Sequence, residues 1–246
     1  MASREVLKQY TQTYLNADAF EDYCPNGLQI EGKEEINKII SGVSANLALI
    51  ERAIDEKADA IFVHHGLFWK NDPQTISGAK RRKIALLLKN NINLFAYHLP
   101  LDAHPEVGNN AQLGQLLGIN NMIPVANSLL WTGELESSVS EFGVKIENAL
   151  QRAPLIIGDK SSNIKRIAWC TGAAQGFIDQ AIELDVDAYL TGEVSEQTPA
   201  VALENDLVFI SAGHHATERY GVQALCQHLS SKFSCQHQYI EINNYV

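Results

Sequence analysis

Residues Lys38 to Gly66 can be laid over Arg166 to Val194 without a gap, and this internal repeat constrains the fold more than any other feature of the chain. Ile39 falls on Ile167, Ala45 on Ala173, Ile50 on Ile178, Ala53 on Ala181, Ile54 on Ile182, and Asp59-Ala60 on Asp187-Ala188. That makes seven identities, where chance at average composition gives about two. Each copy reads as strand, helix, strand. In the first, Lys38 to Val43 is a β-branched run, Asn46 to Lys57 carries Leu47, Ile50, Ala53 and Ile54 at helical spacing, and Ala60 to Val63 is a buried strand. The second copy places the same pieces at 166–171, 175–184 and 188–191. Strands that alternate with helices and are themselves nearly continuous in apolar residues belong to parallel sheets covered on both faces.

A further strand follows in both halves, at Ile92 to Tyr97 and at Leu207 to Ser211, and each leads to a histidine with a carboxylate four positions on. These pairs are His98 with Asp102 and His214 with Glu218, followed by helices over 110–117 and 217–229. The expected fold is therefore α/β: two similar lobes with mostly parallel sheets covered by helices. The first lobe is 1–125 and the second 126–246, with a weakly patterned junction over 126–165. A chain of 246 residues is long enough for either one large domain or two lobes of this size.

Composition excludes several classes. With 46% hydrophobic and 20% charged residues the chain is neither disordered nor fibrous. A net charge of −10 argues against a broad grip on nucleic acid or an anionic membrane. No apolar run approaches the roughly 20 residues of a membrane helix, and the amino terminus lacks a signal-peptide pattern, so a cytoplasmic location is expected. Cys24, Cys170, Cys226 and Cys235 form no Cys-x-x-Cys pair and read as buried thiols. Phosphate-loop, dinucleotide and serine-hydrolase fingerprints are absent. The basic run Lys80-Arg81-Arg82-Lys83 reads as a solvated helix start or a phosphate contact, and Phe68-Trp69 as packing or a lid.

Polar chemistry concentrates at four strand ends: Val63-His64-His65-Gly66, His98 to Asp102, Thr191-Gly192-Glu193, and Gly213 to Glu218. Sites in parallel sheets lie beyond the carboxyl ends of the strands. A histidine pair closing an apolar strand must be desolvated unless something binds it. Successive strand residues point to opposite faces, so both can serve one site only if the chain turns at Gly66 or two ions share them. His214 and Glu218, four apart at a helix start, share one face and offer a two-point metal grip. Pro100 argues that His98 and Asp102 lie on a loop. Imidazoles and carboxylates without thiolate suit zinc, iron, manganese or nickel.

Together with Asp22-Tyr-Cys-Pro-Asn26-Gly27-Leu-Gln29, these motifs resemble the NIF-three-like family, whose members carry the label GTP cyclohydrolase 1 type 2 homolog. The resemblance spans nearly the whole chain and fits the compact form without a central inserted domain. It implies two α/β lobes with a dinuclear metal site in the cleft between them, and subunits assembled as a homo-oligomer, a toroidal hexamer. Carried over by motif, His64, His65, Asp102, His214 and Glu218 would hold two divalent ions per chain, Glu218 and Asp102 being candidates to bridge them. His98 and Glu193, with Glu218, would be the catalytic or substrate-facing groups. Where many relatives have Gly-His-Tyr-Ala-Thr-Glu, this chain has His215, and spacing favours His214 as the ligand. The function implied is hydrolysis of a small anionic, phosphorylated or nucleotide-like molecule. The alternative is a non-catalytic metal-binding scaffold, metal chaperone or sensor.

Overall fold

The repeat seen in the sequence is a repeat of hydrogen bonds. In the computed structural model, which describes residues 2–246, Asp59 and Asp187 do the same work in their two copies. Asp59 Oδ2 accepts from the backbone N–H groups of Asn37 and Lys38 at 2.9 and 3.0 Å. Asp187 Oδ2 accepts from those of Lys165 and Arg166 at 2.7 and 2.8 Å. Each carboxylate thus pins the entry of one strand to the start of the next, and the pairing that follows has the same register, Ile39 opposite Ala60 and Ile167 opposite Ala188.

Along the chain, a short strand β1 (Ala2–Ser3) leads into α1 (Arg4–Tyr14), β2 (Gly27–Ile30) and β3 (Glu35–Ile36), which pairs with β1. The first copy of the repeat is β4 (Lys38–Ser44), α2 (Leu47–Asp55) and β5 (Ala60–His65), followed by α3 (Gly78–Lys89), β6 (Asn93–Ala96) and α4 (Leu99–Ala103). Then come α5 (Asn109–Leu116), β7 (Asn120–Pro124), β8 (Trp131–Ser138), α6 (Val139–Leu150) and β9 (Leu155–Ile157). The second copy is β10 (Asn163–Trp169), α7 (Ile178–Glu183) and β11 (Ala188–Thr191), then α8 (Thr198–Glu204), β12 (Val208–Ser211) and α9 (His214–Thr217). The chain closes with α10 (Arg219–Phe233) and β13 (Gln236–Tyr239).

Two compact units result. One holds the residues through Gly108 together with Gly221–Asn243, the other Asn109–Tyr220 and Asn244–Val246. The single boundary expected at 125/126 is therefore corrected. Val222, Leu225, Cys226 and Leu229 of α10 pack with Ile39, Phe62 and Phe95 of the first sheet, and β13 pairs in parallel with β4, so α10 and β13 complete the first unit. Residues 126–165 are no loose junction either. They supply β8, α6 and β9, with Val139, Phe142, Ile146 and Leu150 of α6 in the core of the second unit. The signal for α6 stands in the sequence as a capping box, in which Ser138 and Glu141 satisfy each other's backbone N–H groups.

The first sheet runs β13-β4-β5-β6-β2 with only β2 antiparallel. The second runs β7-β8-β10-β11-β12-β9; its three central strands are parallel and β7, β8 and β9 pair antiparallel, so this sheet is mixed where a mostly parallel one was expected. Both faces of each sheet are covered. Ile40, Ile61, Val63 and Leu94 face Leu49 and Ile50 of α2 and Leu87 of α3. In the second unit Ile167, Trp169, Leu190 and Ile210 face α6, while Ala168, Tyr189 and Phe209 face Ile178 and Ala181 of α7 and Ala202 of α8. All four cysteines are buried and unbridged, as expected. Among the described residues no helix is long and apolar enough to cross a membrane.

The Asp59 carboxyl makes a testable contribution. Burial alone would raise its pKa, but the Lys33 ammonium and the two backbone donors outweigh burial and hold it below the usual 3.8. A carboxylate with a depressed folded-state pKa stabilises the fold above its unfolded pKa and loses that contribution as pH falls below it. Asp59→Asn should therefore cost about 1–3 kcal/mol near neutral pH, measured by urea unfolding. The gap between wild type and variant should close as pH drops below 3.8.

Candidate functional site

In the first unit, β5 ends in His64 and His65. The His64 ring is fully buried, and its Nδ1–H donates to the Tyr97 carbonyl at 3.0 Å. That bond fixes the tautomer, so Nε2 carries the lone pair; this nitrogen lies 3.5 Å from Asp102 Oδ1. The His65 ring sits 4.6 Å from that of His64, with its Nδ1 3.1 Å from Ser44 Oγ. Strand alternation would separate adjacent side chains. The strand ends here, at Gly66, which packs so closely on the Gln29 side chain that a Cβ would collide with it, and the two rings converge.

His98 joins them from the end of β6. Its ring lies 5.0 Å from His64 and 5.8 Å from His65, and one donor nitrogen from each of the three histidines falls within 4.8 Å of the others. His98 is the N-cap residue of α4, and Asp102 lies within that helix, not on a loop. Pro100 is tolerated because it sits in the first turn, where its missing N–H has no intrahelical partner. Asp22, which the site reading of the sequence passed over, orients His98: its Oδ1 is 2.7 Å from His98 Nδ1, and its Oδ2 accepts from Leu99 N and Asn26 Nδ2, both at 2.9 Å. Burial raises the Asp22 pKa, yet His98, Asn26 and the Leu99 N–H outweigh it and hold the carboxyl at about 2. The signal was there in Asp22 and Asn26, two short polar residues four apart before Gly27. Cys24 brings its Sγ within 4.8 Å of a carboxylate oxygen of Asp22 and a ring nitrogen of His98. Burial, then the charges of Asp22 and Asp102, push its thiol up to about 12.

The second unit carries a set of its own. His214 opens α9 and Glu218 closes it, with His214 Nε2 3.0 Å from Glu218 Oε2, so the spacing of four brings the two together as expected. Glu193, just beyond β11, places Oε1 2.6 Å from His214 Nδ1. Burial lowers the pKa of His214, but the carboxylates of Glu218 and Glu193 outweigh this and push it up to about 9. His215 is buried, and its backbone N–H donates to the Val246 carbonyl at 3.1 Å.

The two histidine–carboxylate pairs are not equivalent positions of the repeat. Asp102 N bonds to the His98 carbonyl as Thr217 N bonds to that of Gly213, so His98 corresponds to Gly213 and Asp102 to Thr217. Likewise the constant shift of the repeat sets Gly192-Glu193 where the first copy has His64-His65. The scaffold is duplicated and the chemistry is not.

These residues fit divalent metal. Buried imidazoles with one nitrogen anchored to a carbonyl or carboxylate and the other presented to a neighbouring donor are the usual make-up of ligands for borderline ions. The sequence pattern of the Duf34/NIF3 (NGG1p interacting factor 3) family matches residues 1–245. The chain belongs to this family. A "GTP cyclohydrolase 1 type 2 homolog" from Allochromatium vinosum is 50% identical over 242 residues, covering 97% of this chain and 95% of that one. A structural-genomics protein of unknown function, ybgI, superposes with a TM-score of 0.96 at 47% identity over 100% of both chains. A protein from Thermus thermophilus superposes at 0.90 with 31% identity, again over 100% of both.

Gly172 is the residue on which the second set depends. Its φ is +71°, and a Cβ there would run into Glu218 Oε1, while its N–H donates to Thr217 Oγ1 at 3.0 Å and its carbonyl accepts from Gly192 N at 2.9 Å. A left-handed conformation alone costs a non-glycine residue about 1–2 kcal/mol. Gly172→Ala should fold with reduced stability and lose bound metal, read by elemental analysis beside circular dichroism. A variant that kept its full metal content would show that Glu218 is not held by this turn.

Proposed function

We propose that this protein is a metal-dependent hydrolase of a small phosphorylated or nucleotide-like molecule, holding two divalent ions per chain through His64, His65, Asp102, His214 and Glu218. The observation that carries the reading is the convergence of His64, His65 and His98 within 4.8 Å at the end of a strand buried on both faces. Three imidazoles gathered there have no packing role that an apolar residue would not fill better. The name borne by the Allochromatium vinosum relative points to the same broad class. Zinc, iron, manganese or nickel suits the donors, and when bound such ions polarise a substrate oxygen and stabilise the negative charge that develops on it.

The chain's own residues do the rest. The Tyr97 carbonyl keeps the proton of His64 on Nδ1, leaving Nε2 to the metal. Asp22 holds His98 at Nδ1, so His98 Nε2 is the nitrogen available to take up a proton from the attacking group and return it to the leaving group. Glu193 holds His214 at Nδ1 and turns Nε2 toward Glu218. A second reading, a metal-binding scaffold, chaperone or sensor without catalysis, draws support from Glu193, the other candidate acid–base group, whose carboxylate is already bonded to His214. The subunits are further proposed to form a ring-shaped homohexamer, a reading supported by exposed apolar side chains at Ile123, Val144 and Leu155 and tested by sedimentation.

Elemental analysis of gently purified protein should find about two metal ions per chain, falling in both His65→Ala and Glu218→Ala. With metal loaded, a panel of phosphate esters and purine nucleotides should include a substrate whose turnover drops about a hundredfold or more in Glu218→Gln. Metal bound at full stoichiometry with no turnover above that variant would favour the non-catalytic reading.

A further inference from the structure

Beside the histidine cluster of the first unit lies a cavity of about 510 Å³, within the range that takes a small ligand. Its walls include Asp22, Tyr23, Phe68, Trp69, Lys70 and Lys80. Two contacts tie it to the cluster: Asp22 is the carboxylate bonded to His98, and the Trp69 ring stands edge-on to that of His98 at 5.2 Å and 5.8 Å from that of His65. The cavity therefore lies next to the imidazoles, with Asp22 and Trp69 between.

We propose that this cavity binds a flat nitrogen heterocycle carrying a phosphate, the make-up of a nucleotide, with the ring against Trp69 and the phosphate on Lys70 and Lys80. The inference rests on the hydrolase reading for where the reacting bond would lie, while the ligand chemistry is read from the cavity itself. Three aromatic side chains in the lining, Tyr23, Phe68 and Trp69, offer stacking area to a planar ring. They do nothing for a bare phosphate. Two ammonium groups in the same lining suit an anion and do nothing for a neutral base.

The local charges leave those ammonium groups available. Lys80 Nζ lies 5.0 Å over the Phe68 ring and donates only to the Pro73 carbonyl, at 3.3 Å, and neither Lys70 nor Lys80 forms an ion pair among the described residues. Of the two carboxylates in the lining, Asp22 accepts from His98, Asn26 and Leu99, and Asp72 attracts the Lys83 ammonium. The lining thus offers two ammonium groups to an anion in a chain of net charge −10. This assigns a role to Phe68-Trp69 and to Lys80, for which the sequence left two readings each.

The test is a binding titration of metal-free and metal-loaded protein with GMP, guanosine and ribose 5-phosphate, followed by equilibrium dialysis and by tryptophan emission. Trp131 and Trp169 are buried in the second unit, so quenching by contact reports on Trp69. GMP should quench and bind about tenfold more tightly than guanosine or ribose 5-phosphate. Lys70→Ala with Lys80→Ala should weaken GMP about tenfold, leave guanosine unchanged and keep the full metal content. Trp69→Leu should weaken GMP and guanosine together. Equal GMP affinity in wild type and both variants, no binding of any probe, or GMP binding that vanishes with metal and ignores all three side chains would overturn the proposal. Pocket-dependent binding without metal or turnover would sink the hydrolase reading alone. Metal and turnover with binding indifferent to Lys70, Lys80 and Trp69 would sink this inference alone.

Discussion

Parallel pairing is the constraint on which the rest of the structure depends. When β4, β5 and β6 run side by side in one direction, their carboxyl ends arrive at one edge, and the same holds for β10, β11 and β12. Helices cover both faces of each sheet, so the strand interiors must be apolar and the edge is the place left for polar groups. His64-His65, His98, Glu193 and His214 all stand at or just beyond such ends. The Asp59 and Asp187 carboxylates secure this arrangement by tying strand entries together with backbone hydrogen bonds.

On that duplicated frame the two copies have taken different chemistry. The first keeps two adjacent imidazoles at a strand end and gains a third from a helix cap. The second keeps glycine and a carboxylate there and places its imidazole inside the following short helix. Each histidine has one ring nitrogen next to a fixed partner: the Tyr97 carbonyl for His64, Ser44 for His65, Asp22 for His98 and Glu193 for His214. Such anchoring sets tautomer and ring angle before any ion arrives, which lowers the cost of assembling a metal site. The partners come from loops and neighbouring strands, far from their histidines in sequence.

Much of this was legible in the chain itself. The strand–helix–strand repeat, the motif-bearing strand ends and the grip of His214 on Glu218 follow from periodicity and spacing. What failed did so for identifiable reasons. Pro100 read as a helix breaker because its position relative to the helix start could not be known, and at the second helical residue it breaks nothing. Residues 126–165 read as a junction because β8 alternates between buried and exposed positions and pairs antiparallel, without the continuous apolar signature of the parallel core, and β9 is a short edge strand, although the capping box at Ser138 and Glu141 marked α6. Asp22 escaped because its value lies in three partners that no local pattern reveals.

The sequence by itself determined that two α/β copies exist and which residue types gather at their strand ends, because side-chain periodicity and residue chemistry are local properties. Only the tertiary structure decided that α10 and β13 return to complete the first unit, since that pairing joins residues about two hundred positions apart and local propensity is silent on it. It likewise decided that neighbouring His64 and His65 converge instead of diverging, and that Trp69 and two lysines wall a cavity beside them. Those outcomes are set by close packing at Gly66 and by the path of the loop beyond it, and packing is a property of the whole fold.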